Sequence, residues 1–439
     1  MSGDTMEEME GVGVVSGIAF GGQGIIRSQT PGGGLVVFVP FTAVGEKIRF
    51  RITQVKSSFA QGELIEVLQK SPDRISPLCP YFGTCGGCQF QHLKYSNQLQ
   101  IKQQILRDAL ERIGKLKNVD ILPIVPADNQ WAYRRHIAMH LSPQEVQGYK
   151  VGYFGLDNVS LLDIKQCPIF IDHSCDLLVT LQQFAKRLDS IPGNEGRVSL
   201  FKNGLDAFII HFQFGKCPSN FRSVMESVLK ENTRISGILG SFPNNTIALG
   251  QIESNLQIGD LIFTYSPLAF IQNHPEQSEK IYRRIVGIAQ EVNASKVMDL
   301  YCGIGISSIM LGATGISTVG VEYNHEAIRL AILNAAQNDM KKSEFLQGDA
   351  QSLVRKLIKE QKPELVLVNP PRQGLSVQMV KSLLEGRPKH IVYVSCMPAT
   401  LARDLKGLCE ERYKVIECQP YDMFPQTTHL ETIVNLKFY

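Results

Sequence analysis

The stretch Val297–Ser308 reads VMDLYCGIGISS. It is a buried strand, spanning Lys296–Tyr301, that runs into a glycine-bearing turn and then a helix. Glycine at Gly303 and Gly305 lets the backbone pass close to a ligand. The same rhythm repeats downstream. A strand at Thr318–Glu322 precedes a helix through Ala327–Asn338, and a strand at Glu344–Gln347 leads through Gly348 and Asp349 into another helix. Leu365–Val368 is an apolar strand ending in Asn369-Pro370-Pro371-Arg372. Ile391–Leu405, IVYVSCMPATLARDL, is again strand, turn and helix, and strands near 413–418 and 431–438 complete the set. Strands alternating with helices predict an α/β fold with a doubly wound parallel sheet. Ligands of such a sheet gather at the carboxyl ends of its strands.

The strand ends carry the chemistry. Glu322 can accept hydrogen bonds from two ribose hydroxyls, the geometry of an adenosine-type cofactor. Asp349 is placed to meet an adenine amino group. The first turn is not GxGxxG, which disfavours a dinucleotide and favours S-adenosylmethionine. Asn369 stands at the fourth strand end, between cofactor and substrate. Cys396 sits where a strand gives way to a helix, and free N–H groups at a helix start favour a thiolate. Most unpaired cysteines are small core residues. Here, however, Glu431 in DMFPQTTHLET brings a carboxylate into a late strand. A thiol, a base and a methyl donor suit one reaction. Carbon 5 of a pyrimidine is too weak a nucleophile to take a methyl group directly. Thiolate attack on carbon 6 makes it an enolate and methyl transfer follows. A base then removes the carbon-5 proton and the thiol leaves.

The chain has 439 residues, too many for one ordinary core, so several domains are expected. At 44% apolar and 20% charged, its composition is that of a globular protein. No apolar run reaches the length of a membrane span, and MSGDTMEEME lacks the order of a signal peptide. The expected compartment is the cytoplasm and the expected state a monomer. Net charge is only +3, so an RNA site must come from local basic patches.

Residues 1–10 are expected as a disordered tail and 11–70 as a small β-barrel of OB type. Residues 71–270 form a mixed α+β central region and 271–439 the α/β domain. In the barrel Ile48, Phe50 and Ile52 alternate with Arg49, Arg51 and Thr53, predicting a buried face and a basic one. Cys79, Cys85 and Cys88 are separated by five and two residues, and Cys167, like Cys79, precedes a proline. This set predicts a metal centre and leaves zinc and iron–sulfur open. Tyr95–Ile113 predicts an amphipathic helix with Leu99, Leu106, Leu110 and Ile113 on one stripe. Trp131-Ala132-Tyr133-Arg134-Arg135-His136 interleaves rings with cations, a combination suited to unpaired bases and phosphate.

Together these motifs resemble the RNA uracil-5-methyltransferases over nearly the whole chain. YVSCMPATLARDL is similar to that family's nucleophile motif and DMFPQTTHLE to its base motif. FIQNH, Phe270–His274, is similar to its substrate and cofactor motif. The resemblance implies a Rossmann-like S-adenosylmethionine-dependent methyltransferase domain with Cys396 as nucleophile and Glu431 as base. It implies Gln272, Tyr301, Gly303, Gly305, Glu322, Asp349 and Asn369 as the cofactor site. It makes residues 11–70 a TRAM barrel and gives Cys79, Cys85, Cys88 and Cys167 to a [4Fe–4S] cluster, with zinc the lesser alternative. Methyl transfer needs no electrons, so that cluster is expected to be structural or RNA-contacting. The favoured substrate is 23S rRNA, with tRNA as the alternative. Four positions depart from the family pattern: Asn369 for aspartate, Met397 for asparagine, Ile306 for a polar residue and His274 for asparagine. Two other readings stand beside this one. One is an amino-group RNA methyltransferase using Asn369-Pro370-Pro371, and the other is a non-catalytic RNA-binding factor.

Overall fold

The computed structural model describes residues 10–27, 35–172, 176–204 and 206–439. The tail expected at the N-terminus lies outside them, apart from Glu10, which opens the first strand. Strands β1 (Glu10–Ile18), β2 (Gln23–Arg27), β3 (Val36–Pro40), β4 (Lys47–Val55) and β5 (Phe59–Gln69) close into a barrel. Ile48 and Phe50 point into its core with Val15, Ile26, Val37 and Val39. The outward arginines do not make a free basic face. Arg49 lies opposite Glu66 and pairs with it at 2.7 Å. Arg51 lies opposite Glu63 and Glu10 and pairs with them at 3.2 and 3.3 Å. Strand register brings carboxylates beside each cation and neutralises the face.

Helix α1 (Tyr95–Arg112) follows the cysteine-rich segment. Its buried face includes Leu106 and Leu110 of the expected stripe but differs from it elsewhere. Ile113 is exposed, whereas Gln98 and Lys102 are buried beside Ile101, Ile105, Leu106, Ala109 and Leu110. A seven-stranded sheet comes next. It contains β6 (His136–Pro143), β7 (Tyr149–Phe154), β8 (Leu161–Leu162), β9 (Gly196–Asn203), β10 (Ala207–Phe214), β11 (Ile235–Phe242) and β12 (Asn245–Gly250). Helices α2 (Asp176–Ala185) and α3 (Phe221–Glu231) bury Leu181, Phe184, Val224 and Val228 in its core. The basic-aromatic stretch before β6 turns inward. Tyr133 is buried and stacked on His274 with ring centroids 4.8 Å apart, and Arg135 is buried over Tyr265.

A hairpin, β13 (Ser254–Ile258) and β14 (Leu261–Tyr265), leads into the C-terminal α/β unit. Its elements are α4 (Pro275–Glu291), β15 (Lys296–Leu300), α5 (Ile306–Gly312), β16 (Ser317–Glu322), α6 (His325–Gln337), β17 (Ser343–Gln347), α7 (Ala350–Gln361) and β18 (Leu365–Val368). After them come α8 (Val377–Gly386), β19 (His390–Ser395), α9 (Pro398–Glu411), β20 (Tyr413–Tyr421) and β21 (Glu431–Phe438). The strand order is β17-β16-β15-β18-β19-β21-β20. It reverses between β15 and β18, which opens a crevice at their carboxyl ends. The sheet is not wholly parallel as expected, because β21 runs antiparallel to β19 and β20. The residues between β20 and β21 hold no crossover helix, and a parallel pairing needs one. Its antiparallel run starts β21 at the edge where β19 ends, with Ser395 paired to Thr432.

The apolar face of α1 packs into the core of this sheet, in a cluster with Leu401, Leu405 and Leu408 of α9. Backbone bridges tie Ile121 to Cys418 and Val125 to Tyr421. Part of the segment assigned to the central region is thereby built onto the α/β unit. Among the described residues no helix is long and apolar enough to cross a membrane.

Candidate active site

The crevice beside β15 holds a cavity lined by Gln272, Tyr301, Gly303, Ile306, Asn369 and Tyr282, among others. Tyr301 and Gly303 both take positive φ, 67° and 56°, and a side chain at Gly303 would meet nothing within 4 Å. The turn thus leaves open space where a ligand would lie. Beneath it Asp299 is fully buried and accepts from Ser307 Oγ at 2.5 Å and Ser308 Oγ at 2.7 Å, tying the turn to its strand. Burial raises Asp299 to about 6, and its Oδ1 has no partner. Glu322 ends β16 and accepts from the N–H groups of Gly303 at 3.2 Å and Asn324 at 2.8 Å. These residues fit an adenosyl ligand: a glycine turn, an open cavity and a carboxylate at the adjacent strand end. Asp349 lies just past the end of β17, and its carboxylate is the N-cap of α7, accepting from Gln351 and Ser352. Ile306 faces the cavity as an apolar wall, whereas His274 packs on Tyr133 and bonds Asn129 O at 3.3 Å.

Cys396 follows β19 directly and Glu431 opens β21. Because Ser395 pairs with Thr432, the antiparallel register sets Glu431 beside Cys396. Glu431 is buried, and burial raises its carboxyl to about 8, with Arg372 acting in the opposite sense. Burial also raises the Cys396 thiol, to about 11, and the Glu431 charge adds to it while Arg372 opposes both. Nothing in the local sequence NPPR marks Arg372 for this place. Its position near both thiol and carboxyl follows from the loop after β18, which α9 holds in place. Thr400 Oγ1 donates to Arg372 O at 3.1 Å, Arg403 donates to Gln373 O and Leu375 O, and Leu375 N donates to Asp404 Oδ2 at 2.7 Å. Met397 is the N-cap residue of α9, with its N–H bonded to Ser395 Oγ at 3.2 Å.

The loop from Asp422 to Leu430 is pinned from α1. Lys102 and Asp422 form a fully buried ion pair at 2.5 Å, and Lys102 also donates to Phe424 O at 2.9 Å. Removing one member of such a pair costs about 3–5 kcal/mol, since the other charge stays buried. A sequence stripe of apolar residues cannot reveal a buried lysine whose partner lies at the far end of the chain.

Cys79, Cys85, Cys88 and Cys167 all line a second, small cavity with Arg134 and Tyr153. Gly87 N donates to Cys85 Sγ at 3.4 Å. Burial raises Cys88 to about 12 and Cys167 to about 11, and Arg134 acts the other way on both. Among the described residues no group of three or more His, Cys, Asp or Glu is arranged to hold a metal ion. Four thiols, an N–H donor to sulfur and an adjoining cation suit either four-coordinate zinc or an iron–sulfur cluster.

Residues 233–438 match the family model described as tRNA (Uracil-5-)-methyltransferase. An uncharacterized RNA methyltransferase of Protochlamydia amoebophila is 44% identical, over 97% of this chain and 97% of its own. The chain belongs to the RNA uracil-5-methyltransferase family. A second uncharacterized RNA methyltransferase, from Clostridium acetobutylicum, is 35% identical over 91% of this chain and 92% of its own. The crystal structure of Pyrococcus abyssi tRNA (uracil-54, C5)-methyltransferase in complex with S-adenosyl-L-homocysteine has the same fold. It superposes with a TM-score of 0.72 at 23% identity, covering 98% of this chain and 100% of that one. The family is thus one of RNA methyltransferases, and its α/β domain here follows a β-barrel and a mixed central sheet.

Proposed function

We propose that this protein methylates carbon 5 of a uridine in RNA through a covalent adduct at Cys396, with Glu431 as the base. The carrying observation is the juxtaposition of Cys396, Glu431 and Arg372 at one sheet edge, beside the cavity lined by Gln272, Tyr301 and Asn369. S-adenosylmethionine bound in that cavity supplies the methyl group. The Cys396 thiol loses its proton to solvent, and the thiolate bonds to carbon 6 and pushes the ring electrons to carbon 5. Arg372 favours the anionic thiol as the bond forms. After transfer Glu431 takes the carbon-5 proton, the ring double bond re-forms and the sulfur leaves as thiolate.

Glu431 must be ionised to act. Initial rates on RNA are expected to rise with pH through about 8, the value to which burial raises this carboxyl. A rate that stays flat across that range would remove Glu431 from the base role.

For the substrate we favour 23S rRNA, on the family resemblance of the barrel and the four cysteines. The tRNA reading draws on the Pyrococcus abyssi structure, a tRNA enzyme of the same fold. Mass-spectrometric mapping of 5-methyluridine in rRNA and tRNA from cells lacking the protein decides between them. We assign Cys79, Cys85, Cys88 and Cys167 to a [4Fe–4S] cluster, a role supported by their shared cavity and by Arg134. Protein purified without oxygen is expected to contain iron and acid-labile sulfide in equal amounts. Cys88→Ser should lose both and melt at a lower temperature. Zinc without sulfide would overturn the cluster.

A further inference from the structure

The loop that ends in Glu431 is held in a strained shape by residues that take no part in the chemistry. Tyr421 pairs with Glu431 across its base. Toward its tip Gln426 is buried and has φ of 70°, a region that side chains other than glycine adopt only where neighbours impose it. The neighbours are specific. Gln98 Nε2 donates to Gln426 Oε1 at 3.0 Å, and Gln426 N donates back to Gln98 Oε1 at 3.0 Å. Gln89 N and Phe90 N, directly after Cys88, donate to Gln426 O at 3.1 and 2.9 Å. Tyr133 OH donates to Pro425 O at 3.0 Å. Gln98 is itself buried on α1, and its amide also donates to Phe90 O and Leu93 O. It therefore joins the cysteine segment to the loop.

We propose that Gln98 is a positioning residue for proton abstraction. By bracketing both the side chain and the N–H of Gln426, it holds the left-handed turn from which the chain runs through Thr427, Thr428 and His429 into Glu431. The proposal rests on the reading of Glu431 as base. Without the bracket, residue 426 relaxes to an unstrained φ and the following residues carry Glu431 away from the carbon-5 proton. Steps before that proton transfer do not depend on Gln98.

The test uses the full-length protein, natural RNA and RNA carrying 5-fluorouridine, with covalent complexes read on denaturing gels. For Gln98→Ala turnover is expected to fall about ten- to a hundredfold. The adduct on natural RNA should accumulate, and the 5-fluorouridine adduct should form at the parent rate because its formation needs no base. In a Gln426→Gly background, adding Gln98→Ala should change turnover by less than about twofold, since glycine takes positive φ unaided. Should α1 lose its seat in Gln98→Ala, Gln426→Ala breaks the same bracket from the other side and should give the same adduct. Parent-like turnover, equal loss of turnover and 5-fluorouridine trapping, or an undiminished Gln98→Ala effect in the Gln426→Gly background would each overturn the proposal. Glu431→Gln run in parallel separates the two readings. No adduct in that variant sinks the base assignment, whereas adduct there and none in Gln98→Ala sinks only the positioning role.

Discussion

Replacing Cys396 with alanine is expected to abolish methyl transfer, by about 10⁴-fold or more, the scale on which loss of a nucleophile is felt in an enzyme whose groups act as a unit. The cofactor cavity does not include Cys396, so S-adenosylmethionine should bind to Cys396→Ala with parent affinity in calorimetry. The side chain is only partly buried and alanine fits a strand end, so stability should change by about 1 kcal/mol or less. RNA carrying 5-fluorouridine should form a covalent complex with the parent and none with the variant. This experiment also separates the competing chemistries. An amino-group methyltransferase would use Asn369 and Pro370 to hold an exocyclic amine and would have no use for the thiol. Retained methyl transfer by Cys396→Ala would therefore establish that reading and remove the uracil mechanism. A parent protein that fails to bind S-adenosylmethionine would favour a non-catalytic RNA-binding factor.

Glu431→Gln should separate the two halves of the reaction. Thiolate attack and methyl transfer precede the base, so the variant should form its adduct on natural RNA and then stall. Turnover is expected to fall about 10²–10⁴-fold, the usual contribution of a positioned base, with the covalent complex accumulating. Normal turnover would remove Glu431 from the mechanism. Two further readouts follow from its burial. Its value in the folded chain, about 8, lies above its ordinary 4.5, so the folded state holds the proton more tightly. Stability from this group is fully present below pH 4.5 and is lost as pH rises through about 8. Glutamine has no charge to bury. Glu431→Gln should melt with the parent near pH 4.5 and a few degrees above it beyond pH 8. The variant also removes one of the influences that raise Cys396. Alkylation of the thiol should then shift to lower pH, and an unmoved profile would mean that the two groups do not sense each other.

Gln98→Ala and Glu431→Gln are expected to share one signature, a stalled adduct, for different reasons. One removes the proton acceptor and the other lets it drift. The departures at Ile306 and His274 are absorbed by packing, as a cavity wall and as a ring stacked on Tyr133. Asn369 is the one of the four that keeps a polar side chain on the cofactor cavity.

Local patterns in the chain were enough to mark the α/β unit, the glycine turn and the residues that carry the chemistry. Strand–turn–helix units announce themselves within a dozen residues or so, and Gly303, Glu322, Cys396 and Glu431 each sit at the end or start of one. What faces what was decided by tertiary structure. Glu431 reaches Cys396 because β21 runs antiparallel, a choice made by the connection and pairing of strands rather than by their composition. The arginines of β4 lose their basic face to carboxylates on β1 and β5, and Asp349 turns to cap its own helix. Gln98 and Lys102 read as the polar side of an amphipathic helix, yet both are buried. A polar side chain can be taken out of water only where partners await it, and theirs, Gln426 and Asp422, come from the opposite end of the chain.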